Sequence, residues 1–336
     1  MLLRFVYFLI LPSLILLIGC DSNNKEALGA DNEIRVICSD IDREIVHENL
    51  SQIFTDTIYT PEPEPYYFLK FSDPSTYNSM KAHANLIVAY VNENDKNPGY
   101  DLVKKILNNE QFEFISKSNP MIMGQDILAK NQLFMIVNMS DKNSMDKWIK
   151  GKNNFIRKKF DDQFKNRQKQ HILNDFRNDE LEQKLAEKYN INLQVPWGWE
   201  LIRERSDSNF IWLGREMPFQ WIGISWKSGK HTNDELIVGD YLWQWPKKHY
   251  GYIKNMNHKF KLDKTIFKNN NAWRLRSLWE TVDVKEAKGG PMVSILFYDE
   301  KKDITVHLNY LIFHPGKNKS IYMRQMDLIL RTFHLK

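Results

Sequence analysis

Two cysteines in 336 residues rule out a disulfide-held scaffold. Glycine and proline are sparse too, 14 and 12 residues, which excludes collagen-like and low-complexity builds. Long hydrophobic runs are missing: the stretch from Phe5 to Ile18 has fourteen residues, against the ~20 needed to cross ~30 Å of hydrocarbon. The nine histidines are scattered, with no His-x-His and no His/Cys cluster at metal-ligand spacing, so the sequence calls for no metal and no cofactor. What is present is an ordinary folding composition, 42% apolar and 26% charged, long enough for two domains with their own cores.

The first residues carry an address. Arg4 precedes the apolar Phe5–Ile18 run, the order of a secretory signal peptide. Leu17-Ile18-Gly19-Cys20 resembles the bacterial lipobox, in which the cysteine is acylated and becomes the mature N-terminus. Residues 1–20 are therefore expected to be a lipoprotein signal peptide, with Cys20 the lipidated residue, and polar residues 21–33 a flexible tether. Several acyl chains, at ~0.8 kcal/mol per buried methylene, hold a protein durably on a membrane. The expected place is the cell envelope, at the outer membrane. That address removes nucleic acid from the partner list, although the net charge is +5. With Cys20 engaged, Cys38 has no partner and reads as a buried structural thiol. Nothing in the sequence sets an oligomeric state.

Charge and pattern divide the rest. Residues 21–146 are acidic, with 11 Lys and Arg against 20 Asp and Glu, and 147–336 are basic; the first domain is expected over 34–190, ending in lysine-rich helices, and the second over 191–336. In the first, Ile34–Cys38 reads as a strand and Ser39-Asp40-Ile41-Asp42 as a helix cap. Strands are expected over 66–71, 85–91 and 133–137, with a helix from Tyr100 after the Asn97-Pro98-Gly99 turn. Met145, Ile149, Ile156, Phe160 and Phe164 recur at helical spacing and predict a long amphipathic helix over 142–173, with a second over 177–189. In the second unit, strands are expected near 199–205, 209–214 and 220–226. A helix over 234–253 follows, which Pro246 should break or restart. Three strands and a closing helix over 319–333 complete the unit, with Ile304, Val306, Leu308, Tyr310 and Ile312 alternating against Thr305, His307 and Asn309. The fold class is thus α+β: two α/β-layer domains with mainly antiparallel sheets, joined by a long amphipathic helix.

Catalytic motifs are not found. His47-Glu48-Asn49-Leu50-Ser51 has serine where a zinc protease needs its second histidine. Asp40-Ile41-Asp42 lacks the oxygen ligands and glycine of a calcium loop. Ser144-Met145-Asp146-Lys147 matches Ser-x-x-Lys only at chance level, and Gly289-Gly290-Pro291 precedes a strand rather than a phosphate-binding helix. The anomaly is tryptophan, nine of ten lying between Trp197 and Trp279. Cross-strand core packing explains such a count, and so does a stacking platform. Helical spacing places Ile237, Tyr241 and Trp245 on one buried face and turns Trp243 to solvent, which makes Trp243 the candidate ligand contact.

Taken in order, these segments resemble an uncharacterised lipoprotein family typical of Bacteroidetes, known as a domain of unknown function. The resemblance is carried by the lipobox, Pro61 to Pro65, Arg167-Gln168, Leu193-Gln194-Val195-Pro196, Phe210-Ile211-Trp212, Leu278-Trp279-Glu280, Gly289-Gly290-Pro291 and the closing strand and helix. By element order the C-terminal half is similar to Mog1/PsbP-like domains. The resemblance implies an envelope location and a two-domain build, and it brings no catalytic residues. A non-enzymatic binding module for an envelope protein or glycan is the expected function. The competing expectation is a hydrolase or transferase of envelope glycan or peptide, recognisable by a carboxylate beside His307.

Overall fold

The computed structural model describes residues 25–336 apart from 118, 119 and 284. Cys20 and the signal segment lie outside the described residues. The class is α+β with mostly antiparallel pairing, carried by a five-stranded and a seven-stranded sheet. Residues 26–33, expected as part of the tether, are instead docked: Ala27, Asp31 and Asn32 are buried, and backbone bridges join Glu26 to Lys130 and Leu28 to His83.

The five-stranded sheet departs from the antiparallel expectation. Glu33–Ile37 pairs in parallel with Phe68–Ser72 and Asn85–Tyr90, and the latter with Leu133–Asn138; only Met121–Gln125 runs antiparallel. Every residue of Asn85–Tyr90 and Leu133–Asn138 is buried, because helices cover both faces. Strands so placed read as unbroken apolar runs without alternation, the mark of parallel pairing. One face packs on the helix Arg43–Ile53 and on Ile149, Ile156 and Phe160 of the long helix Lys142–Lys169. The other packs on Val103 and Ile115 of two shorter helices.

The seven-stranded sheet is antiparallel throughout, in the order Ile253–Phe267, Asn270–Thr281, Gly289–Asp299, Ile304–Phe313, Phe219–Ser228, Phe210–Arg215, Glu200–Arg205. Four strands, not three, lie between the Glu235–His249 helix and the closing helix among the described residues. The additional one is an edge strand whose first part, Lys254 to Lys259, gives no apolar pattern, while Phe260 and Leu262 pack against the core. Val306, Leu308, Tyr310 and Ile312 meet the helices Asp179–Tyr189 and Ser320–Leu330, while Thr305, His307 and Asn309 lie buried on the opposite face. Leu181 and Leu185 share this core, so the helix assigned to the N-terminal unit packs with the C-terminal sheet. Packing therefore crosses the boundary expected near 190.

Arg324, 7% exposed, ties the two sheets together. It donates to the Tyr66 carbonyl at 3.1 Å, to the Tyr67 hydroxyl at 2.9 Å and to Asp161 at 2.9 Å, with its guanidinium over the Phe164 ring.

Candidate functional site

The Glu235–His249 helix runs unbroken through Pro246. Proline at that position removes the N–H that would reach the Leu242 carbonyl. Asn255 replaces it, its side-chain amide donating to the carbonyls of Leu242 at 3.1 Å and Trp243 at 2.9 Å. The expected break is thereby repaired from the neighbouring strand.

The buried stripe of this helix is Val238, Leu242, Trp245 and His249. Ile237, 67% exposed, faces outward, which corrects the expected helix phase, while Tyr241 sits at the flank of the buried stripe with its ring 5.6 Å from that of His307. Seven residues return to within about 20° of the same face, whereas the eight from Ile237 to Trp245 overshoot by about 80°. Trp245 fixes the phase: its indole N–H donates to Ser225 Oγ at 2.9 Å, and its ring fits only because residue 223 is glycine, whose Cβ would stand 2.5 Å from it.

Trp243 is accordingly half-buried rather than fully exposed, its ring edge-on to Phe260 at 5.3 Å and 64°. It lines an open cleft of about 460 Å³ with Gln244, Lys247, Lys248, Lys254, Asn255 and Asn257. The floor comes from an irregularity in the edge strand. Asn255 pairs with Trp279 and Phe260 with Ser277, so residues 256–259 bulge opposite Leu278 alone. Bulges re-aim side chains at sheet edges, and this one brings Asn257 to the cleft. Lys254 is paired with Glu280 at 3.2 Å, while Lys247 and Lys248 are exposed. An indole flank, ammonium groups and amides around one concavity suit a ligand with C–H faces and oxyanions. The bulge could not be read from sequence, since Asn-Met-Asn-His-Lys resembles a loop.

His307 is not in an open pocket. It is 1% exposed, 4.4 Å from the Trp245 ring and 5.6 Å from that of Tyr241, and neither ring nitrogen has a hydrogen-bond partner among the described residues. Burial holds it well below the usual histidine range. Its neighbour His249 is lowered to about 4, chiefly by burial and then by Lys248 and Arg205. The surroundings expected of a catalytic His307 are thus replaced by aromatic rings.

The other sequence candidates resolve as structure. Asp42 is buried and accepts from Val91 N at 3.1 Å, Asn92 Nδ2 at 2.6 Å and Asn97 Nδ2 at 2.7 Å, which closes the crevice at the carboxyl ends of the parallel strands. Ser39 forms no side-chain cap bond, because the chain there is held by Asp42 instead. Cys38 is buried and its thiol is pushed up to about 12 by burial. The side chains of Ser144 and Met145 lie outside the described residues. Of the tryptophans, Trp199, Trp212, Trp245, Trp273 and Trp279 are core, and Trp197 is 73% exposed. Among the described residues no three His, Cys, Asp or Glu side chains gather to hold a metal, and no helix is long and apolar enough to cross a membrane.

The helix that packs with the C-terminal sheet begins after Asn178, its side chain accepting from Leu181 N. Residues 178–332 match DUF4837, a domain of unknown function. The DUF4837 match thus starts at that cap and takes in the Trp243 cleft. Comparison with curated proteins found no match. Among solved structures, the Saccharomyces cerevisiae Ran-binding protein Mog1p is similar at 12% identity and a TM-score of 0.31, over 44% of this chain and 90% of that one. LpqN, involved in cell envelope biogenesis of Mycobacterium tuberculosis, is similar at 15% identity and a TM-score of 0.28, over 44% and 83%.

Proposed function

We propose that the protein is a lipoprotein of the Bacteroidetes type, anchored through Cys20 at the outer membrane, that binds an envelope glycan without transforming it. The Trp243 cleft is its contact site, and an acidic saccharide is its ligand. The observation that carries this reading is the placing of one half-buried indole beside Lys247, Lys248 and Lys254 in a single open concavity. The ring offers a flank to sugar C–H groups, and the ammonium groups favour carboxylate or phosphate substituents. His307 lies sealed among rings, which supports binding over hydrolysis.

Retention of the full chain in detergent on immobilised polygalacturonate tests this. Trp243→Ala, which leaves every lysine in place, should weaken retention about tenfold, the factor that ~1.4 kcal/mol of stacking represents. Unchanged retention would show that the lysines attract the polymer without a site.

A further inference from the structure

We infer that the seam between the two sheets holds a second binding site, built around Arg215, for a small ligand bearing a carboxylate or phosphate oxyanion. The site is independent of the Trp243 cleft and goes beyond the reading given above.

A cavity of about 790 Å³ lies where four elements converge. Residues 26–31 and the long helix with its continuation give one wall. The end of the strand Phe210–Arg215 and the C-terminal helix give the other. The first wall holds two ion pairs and, among the described residues, one carboxylate bonded only to a neutral amide. Arg167 Nε donates to Asp31 at 2.6 Å, Lys130 pairs with Glu26 at 3.1 Å, and Asp175 accepts from Gln170 at 2.6 Å.

Arg215 differs from them. It has no ion pair and no hydrogen bond among the described residues, and its Nε is shut off from solvent without a partner. Burial disfavours its charge, and the only titratable neighbour that favours it is the Tyr322 phenol on the same wall. A guanidinium cannot relieve the strain by losing its proton, and an unsatisfied buried donor is expensive. Its backbone is fixed by pairing with Gln220, itself buried, so the side chain starts from a set position on the cavity wall. An oxyanion in the cavity would meet the terminal guanidinium nitrogens, which are not sealed as Nε is, in the bidentate manner that arginine favours, and give the unpaired charge its counter-ion. Such a ligand would touch both units and hold the seam closed.

The test is thermal unfolding of the full chain in detergent with inorganic phosphate, acetate or chloride at equal ionic strength. Phosphate or acetate, at saturation, should raise the midpoint by roughly 3 °C or more over chloride, as a ligand specific to the folded state does. Whichever of the two gives the larger rise identifies the oxyanion. Salt exclusion lifts all variants alike, so the quantity read is the difference between wild type and variant. Arg215→Gln should lose the rise while its own midpoint in chloride equals or exceeds that of wild type. Arg215→Lys, which keeps the charge but not the fork, should lose at least half of it. An equal rise in wild type and both variants, no rise in wild type with either anion, or a marked drop in the chloride midpoint of both variants would overturn the proposal.

Discussion

The Asn255 side-chain amide donates to the Leu242 carbonyl, the acceptor that Pro246 leaves without its helical partner. The same amide holds the Trp243 carbonyl, so the bond that lets the helix pass its proline also sets the position of the cleft.

If this repair is the role of Asn255, it is conditional on the proline. Asn255→Ala should lower stability by about 2 kcal/mol, the cost of a buried acceptor left unmet. In a Pro246→Ala background, where residue 246 regains an N–H, the same change should cost about 1 kcal/mol or less. Urea midpoints for the four proteins give the coupling directly, and additive losses would refute it.

Trp245 and Trp243 should respond differently to truncation. Trp245 is 1% exposed and bonded to Ser225, so Trp245→Ala should cost about 4 kcal/mol. Trp243 rests on Phe260 with part of its ring in solvent, and Trp243→Ala should cost about 1 kcal/mol. Chemical denaturation of the two variants checks the order.

Acid should destabilise this face of the sheet. His249 and His307 both have folded-state values below that of the free residue. The unfolded chain therefore takes up protons first, so stability is complete above pH ~6.5 and falls as the pH drops through the window down to about 4 for His249 and further for His307. The loss assigned to His249 approaches about 3 kcal/mol at the bottom of that window. His307→Phe should flatten the profile, measured as unfolding midpoints between pH 7.5 and 4.5.

Arg324 should determine whether the two units unfold together. Arg324→Met removes three hydrogen bonds and leaves Asp161 without its cation, at an expected cost of about 3 kcal/mol. The calorimetric trace should then separate into two transitions. A fragment covering 178–336 should be more stable than one covering 191–336, because only the longer one retains Leu181 and Leu185.

Legibility followed the physics of each segment. The long helix was readable because Ile149, Ile156, Phe160 and Phe164 lie on one side of a charged surface, and all four are buried. The strand Ile304–Phe313 was readable by strict alternation, but the cover on its polar face was not, since Thr305, His307 and Asn309 carry no sign of the Trp245 helix above them. Pro246 misled because its remedy, Asn255, comes from a neighbouring strand after a turn and is polar. Helical spacing turns Trp243 to solvent only on a phase that exposed Ile237 contradicts, and Lys254 and Asn257 reach the cleft through a bulge that depends on pairing with the next strand. Arg215 gave no signal, for the lack of a partner is visible only in three dimensions.

Lipid attachment is open to a direct assay. Cells fed a fatty-acid probe should label the wild-type protein and not Cys20→Ala, and the variant should leave the membrane fraction.

Trp243 is the proposed ligand contact of the cleft. In a nitrogen-15 spectrum of the full chain, the Trp243 indole N–H resonance, assigned with Trp243→Phe, should shift saturably on adding trigalacturonate and stay in place with neutral maltotriose. Movement of the exposed Trp197 instead, or equal response to both sugars, would contradict the assignment of the cleft and the acidic ligand.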